Sequence, residues 1–104
     1  MDPVFAAVAD PTRRRLLERL LAGGSLSVTD LGEGLPMTRQ AVSKHLGILR
    51  ASGLVRVRRD GREQLHELDP RPLQAVDDWL RPYAAAWDER LAALRRHLGE
   101  DDDA

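Results

Sequence analysis

Seven of the sixteen basic residues fall between Met37 and Gln64: Arg39, Lys44, Arg50, Arg56, Arg58, Arg59 and Arg62, against Asp60 and Glu63. Residues 37–62 carry a net charge of +6 and the remainder −7, inside a chain whose total is −1. Segregation of this kind points to an anion-binding face that the overall charge conceals. A solvated face that happens to be basic is the alternative. Placed on a helix over residues 38–51, Val42, His45, Leu46 and Leu49 share one side, and Arg39, Gln40, Ser43, Lys44, Gly47 and Arg50 share the other. The second side offers charge, amide and hydroxyl without a large apolar group. Arg and Lys reach guanine acceptors or phosphates, and Gln can pair with adenine through two hydrogen bonds. Base contacts come mostly from the N-terminal part of such a helix, which selects Thr38, Arg39, Gln40, Ser43 and Lys44. Gly47 either lets the helix approach a groove closely or is a tolerated weak point, costing about 1 kcal/mol against Ala. Arg58, Arg59 and Arg62 surround Asp60-Gly61, a strong hairpin-turn signal, and suit phosphates or a narrow minor groove. Helix and tip together imply duplex DNA as the partner.

The elements that must position these groups are legible from caps and periodicity. Asp2-Pro3 starts a short Ala-rich helix. Asp10-Pro11 starts a second that ends at Gly23-Gly24, with Leu16, Leu17, Leu20 and Leu21 as its buried stripe. Ser27 and Asp30 resemble a capping box, and Val28, Leu31 and Leu35 face inward on a helix kept short by Gly32, Gly34 and Pro36. Thr38 caps the next helix and Gly53 ends it. Leu54 to Leu68 then reads as a two-stranded hairpin with a basic tip. Asp69-Pro70 opens a last helix over about 71–98, on which Leu73, Val76, Trp79, Leu80, Tyr83, Trp87, Leu91, Leu94 and Leu98 form one apolar arc. Pro82 should kink or split it. "GEDDDA" reads as a disordered acidic tail over 99–104. The expected fold is mainly α with a small β-hairpin: a winged helix-turn-helix over 1–98, with the helix-turn-helix at about 28–52 and the wing at about 54–68.

Other chemistries find little support. The 104 residues suit a single domain, and the absence of Cys removes disulfides and thiolate metal sites. No signal peptide or membrane-length apolar run is present, so a soluble cytoplasmic protein is expected. His45, His66 and His97 are too scattered for a local metal motif. No Ser-His-acid set, phosphate loop or pair of catalytic carboxylates stands out, and Asp77-Asp78 and Asp88-Glu89 fit the wet side of the last helix. The chain reads as a non-enzyme without a cofactor.

Three of the four aromatics, Trp79, Tyr83 and Trp87, recur at four-residue intervals on the last helix, and Phe5 lies on the first. They form either an aromatic monomer core or a dimer interface. "ADPTRRRLLERL", "AVSKHLGILRASGLV" and "WLRPYAAAWDERL" resemble the ArsR-type (ArsR/SmtB) winged-helix regulators over about residues 2–98, especially the branch without metal ligands. The resemblance implies a homodimeric transcription factor, usually a repressor, on an inverted-repeat operator. It also implies terminal helices that pair across a two-fold axis through Phe5, Trp79, Tyr83, Trp87, Leu91 and Leu94. Metal-sensing members carry a Cys-x-Cys-Asp-Leu pattern where this chain has Ser27 and Thr29, and others place ligands on the last helix where this chain has Asp77, Asp78, Trp79, Arg90 and Ala93. Neutral hydroxyls are poor ligands for soft metals, so no metal site is expected. A small-molecule effector is compatible with the pattern but no residue identifies one. The alternative function is a winged-helix module that binds protein instead of DNA.

Overall fold

Local capping chemistry sets the start of each helix in the first three-quarters of the chain. In this computed structural model, residues 2–102 are described, with side chains for 2–98. Helix α1 is Pro3–Val8, and the Asp2 carboxylate accepts from the Val4 N–H at 3.0 Å. Helix α2 is Pro11–Gly23, with Asp10 accepting from the Arg13 N–H at 2.9 Å. After a two-residue strand β1, Ser25–Leu26, helix α3 spans Val28–Gly32 behind a complete Ser27/Asp30 capping box. Helix α4 is Arg39–Ala51, capped by the Thr38 hydroxyl, which accepts from the Ala41 N–H at 3.1 Å. Its end is a Schellman motif. The Leu54 N–H donates to the Leu49 carbonyl at 3.1 Å and the Gly53 N–H to that of Arg50 at 3.0 Å. Gly53 takes φ of +83°, a conformation that costs glycine nothing.

Strands β2, Val55–Asp60, and β3, Glu63–Leu68, form the hairpin, and β1 adds to it in the order β1-β3-β2, all antiparallel. The sheet therefore has three strands where two were expected. Asp60 pairs with Glu63, so the two-residue loop is Gly61-Arg62, one position later than the Asp60-Gly61 signal suggested. Gly61 has φ of +61° and no other residue type has positive φ among those described, which fits a type II′ turn.

The chain divides into two compact units, one ending at Gln74 and the other beginning at Ala75. The core of the first joins Val4 and Ala7 of α1, Leu16 and Leu20 of α2, Leu31 and Leu35 around α3, Val42, Leu46 and Leu49 of α4, and Leu54 and Val55 entering β2. Each large aliphatic here contributes about 1.5–3 kcal/mol through burial. Leu21, expected in this core, is 75% exposed. It lies one position beyond Leu20, about 100° around the helix, and so leaves the buried stripe.

Arginines of α2 close the ends of its neighbours. Short helices leave their last carbonyls unpaired. Arg13 donates to the Ala6 carbonyl at 3.0 Å and to that of Ala7 at 2.9 Å, and Arg14 donates to that of Val8 at 2.8 Å. Arg19 donates to the Leu31 carbonyl at 2.9 Å and to that of Glu33 at 2.6 Å, holding the end of α3. Cations are favoured at helix C-termini by the peptide dipoles as well. Replacing Arg19 with Met is expected to cost about 1–3 kcal/mol, since charged hydrogen bonds are lost and two carbonyls must find water. Urea unfolding checks this, and an unchanged midpoint would show that the bonds contribute nothing.

After the hairpin, the Asp69 N–H donates to the Leu54 carbonyl at 2.8 Å, and the Asp69 side chain is gripped by the Arg71 guanidinium at 2.6–3.2 Å. Those bonds, then one from the Arg71 N–H, lower the pKa of the Asp69 carboxyl from its ordinary value to about 2. A 3₁₀ turn, Arg71–Leu73, precedes helix α5, Gln74–Asp102. The helix thus begins three residues later and runs four residues further than its expected 71–98. It continues through Pro82 without splitting, although the ring cannot donate to the carbonyl of residue 78. Part of the stretch expected as a disordered tail is helical, and its last two positions, 103–104, lie outside the described residues.

Candidate nucleic-acid interface

The outward side of α4 carries Arg39, Gln40, Ser43, Lys44, Gly47 and Arg50, all exposed, while Val42, Leu46 and Leu49 hold the helix to the core. His45 lies between the two sides, its Nδ1 3.3 Å from Arg13 Nη1 and 4.0 Å from Asp10. The Thr38 side chain is exposed, but its oxygen is engaged in capping. Its hydroxyl proton is still available to an acceptor.

The hairpin has two chemically different faces, because side chains alternate along a strand. Register pairs Val55 with Leu68, Val57 with His66 and Arg59 with Gln64. Burial fades along this series from Val55 and His66 at the core to Arg59 and Gln64 in solvent. The alternate positions hold Arg56 opposite Glu67 and Arg58 opposite Leu65. On that side Arg58 Nε lies 3.5 Å from the Glu67 carboxylate, which also accepts from the Ser25 hydroxyl at 2.5 Å. The Ser25 hydrogen bond, then the charges of Arg58 and Arg56, lower the Glu67 pKa.

Two hollows lie between α4 and the sheet. One brings Arg39 together with Arg59, Arg62 and Gln64, with Ser27, Thr29, Asp30 and Glu63 on its walls. The other is lined by Ser43, Gly47 and Arg50 of α4 and by Val57, Gln64 and His66 of the sheet. Seven of the nine residues expected to meet DNA are thus exposed on α4 or at the wing tip and make no side-chain ion pair among the described residues. Thr38 is a cap, and Arg58 sits with Glu67 and lines neither hollow. Gln40 and Lys44 share the α4 face but line neither hollow. Gln64 was not singled out from sequence; its place in the strand alternation, two residues from His66, was the available signal. Among the described residues no group of three His, Cys, Asp or Glu could hold a metal, and no helix is long and apolar enough to cross a membrane.

His66 closes the floor of the second hollow and is only 6% exposed. Its Nδ1 is 3.3 Å from the Leu26 carbonyl oxygen, so the ring donates from Nδ1 and leaves Nε2 unprotonated when neutral. Burial pushes its pKa below the usual 6.5; the Leu26 carbonyl raises it, and the Arg50 charge lowers it again, with a net fall. The stability that neutral His66 supplies is therefore complete above about pH 6.5 and is lost as the pH drops below that value. His66→Asn keeps a donor near the Nδ1 position but cannot titrate. Its melting temperature should fall less than that of the wild type between roughly pH 7.5 and 5.5. Parallel declines in the two proteins would remove His66 from the acid response.

The helix-turn-helix register of α3 and α4 has counterparts in known proteins. Residues 8–58 match a family model described as a helix-turn-helix domain. The HTH-type transcriptional regulator Rv2034 of Mycobacterium tuberculosis is 44% identical over 102 residues, covering 98% of this chain and 92% of that protein. The transcriptional repressor SdpR of Bacillus subtilis is 32% identical over 91 residues, covering 88% of this chain and all of the repressor (100%). The crystal structure of the ArsR family transcriptional regulator RHA00566 superimposes with a TM-score of 0.71 at 34% identity, covering 83% of this chain and 88% of that one. With a basic helix face, a three-stranded wing and end-to-end similarity to these regulators, the chain belongs to the ArsR family of winged helix-turn-helix, DNA-binding transcriptional regulators.

Proposed function

We propose that the protein is a homodimeric repressor that binds an inverted-repeat operator. The carrying observation is the meeting of Arg39 at the start of α4 with Arg59 and Arg62 of the wing around one hollow. A duplex laid across that side takes α4 in its major groove, where Arg39, Gln40, Ser43 and Lys44 face base edges and Thr38 and Arg50 face the backbone. Arg59 and Arg62 reach phosphates or the minor groove beside it. Arg58 contributes through long-range charge, since Glu67 already neutralises part of it.

Two copies are needed because one helix reads only a few base pairs. The apolar arc of α5 supports pairing: Trp79, Tyr83, Trp87, Leu91 and Leu94 are all 47–68% exposed in the single chain. Phe5, half-buried on α1, is the contact proposed for the first unit. A two-fold axis then sets the recognition helices about 34–36 Å apart, one turn of DNA. Repression follows if the operator overlaps a promoter.

Selection from random duplexes tests this, followed by protection mapping upstream of the protein's own gene with and without candidate effectors. A symmetric site with two half-sites one turn apart is expected. Failure to select any sequence, with retention of a protein partner, would favour the protein-binding module.

A further inference from the structure

We propose that Gly47 and Gln64 form a notch that seats the major-groove edge of one A·T pair in each half-site, read by the Gln64 amide. The inference rests on the DNA-binding reading above and deepens it.

Gly47 has no reason to be glycine within the chain. It sits inside α4 without the positive φ that glycine alone tolerates well. A Cβ built there meets nothing within 4 Å. Glycine is nevertheless among the poorest helix formers, because it loses the most backbone freedom on folding. Neither backbone geometry nor packing offsets that loss, and the space beside Gly47 is open to a molecule from outside the chain. The space lies on the reading side of α4, between Ser43 and Arg50.

Gln64 faces this gap from the sheet. It lines both hollows between α4 and the wing, which places it at their seam. Its side chain makes no hydrogen bond among the described residues. Val57 and His66 line the second hollow on the sheet side with it, and Ser43 and Arg50 line the α4 side across Gly47. An unpaired carboxamide presents a donor and an acceptor side by side, which matches N7 and N6 of adenine. Guanine offers two acceptors there and fits poorly. A side chain at position 47 would fill the path along which the base edge approaches.

The test compares wild type, Gly47→Ala and Gln64→Ala by duplex selection, operator titration at several salt concentrations and thermal melting. Gly47→Ala should melt several degrees higher yet bind the wild-type operator at least roughly tenfold more weakly. Gln64→Ala should keep the melting temperature and the salt slope but lose the preference for A·T at one position per half-site, a discrimination of about 5- to 150-fold. Gln64→Glu should move that preference toward cytosine, whose amino group donates. The notch is overturned if Gln64→Ala selects the same bases as wild type, or weakens all sequences equally. It is equally overturned if Gly47→Ala binds as tightly as wild type. Absence of any selected sequence for the wild type would instead remove the DNA-binding reading itself.

Discussion

Arg39→Ala combined with Lys44→Ala should weaken operator binding by about 100-fold or more while leaving the melting temperature unchanged or slightly higher. Both side chains are exposed on α4 and make no ion pair or hydrogen bond through their charged groups among the described residues. The fold therefore loses no contact, and alanine is at least as good a helix former as either. Binding loses much more. A guanine contact is worth about 1–3 kcal/mol of discrimination, and two such losses at separate positions add. If either residue meets phosphate instead, affinity falls for every sequence, and the slope of log K against log salt drops by about 0.9 per contact. The two outcomes are separable: a base contact changes which sequences bind, and a phosphate contact changes how salt acts. Titrations at three ionic strengths, on the selected operator and on an unrelated duplex, measure both. Full retention of affinity and slope would mean that α4 does not meet DNA, and the protein-binding alternative would then lead.

What sequence reading reached and what it missed divide along the range of the interactions. The caps at Asp2, Asp10, Ser27 and Thr38 bond to backbone two or three residues away, so neighbouring residue types reveal them. The end of α4 at Gly53 is similarly local. The α4 reading face follows from helical period alone, and its chemical character from residue type. The arginines of α2 were opaque for the opposite reason. Arg19 bonds to carbonyls 12 and 14 residues away, a tertiary match that a basic run does not announce. Strand β1 is two residues long, too short for any period, and exists because β3 offers an edge to Leu26 and Ser25. The one-residue shift of the hairpin turn hid the pairing of Arg59 with Gln64. Without that register, Arg58 and Arg59 look equivalent, whereas one lies beside Glu67 and the other beside the α4 hollow. The strand alternation puts Gln64 on the His66 side, but its place at both hollows depends on the approach of β3 to α4, which residue spacing does not encode.

If the protein is the homodimer proposed above, Trp87→Glu should convert it to monomer and thereby cost operator affinity by about 100-fold or more, while a single half-site is still bound as by one wild-type subunit. Trp87 is 68% exposed in the single chain, in the middle of an arc that also exposes Tyr83 at 57% and Leu94 at 52%. Trp79 and Tyr83 stack obliquely one turn before it, with centroids 5.4 Å apart. Large contiguous apolar surface is uncommon on a monomer and marks an interface. The buried apolar residues of the first unit run from Val4 to Val55 and Trp87 belongs to the second, so the substitution should leave that core and its melting cooperativity intact. A carboxylate placed in a desolvated two-fold interface occurs twice per dimer, facing or near its own copy, so desolvation and like-charge repulsion act together. A penalty of about 3 kcal/mol or more on association is the consequence. Each wild-type half-site contact raises the local concentration of the second, and that linkage is what the monomer loses. Sedimentation at several concentrations reports the assembly, and titrations on full and half operators report the linkage. If Trp87→Glu remains dimeric and binds the full operator normally, the α5 arc does not hold the copies together, and pairing must be sought on another face.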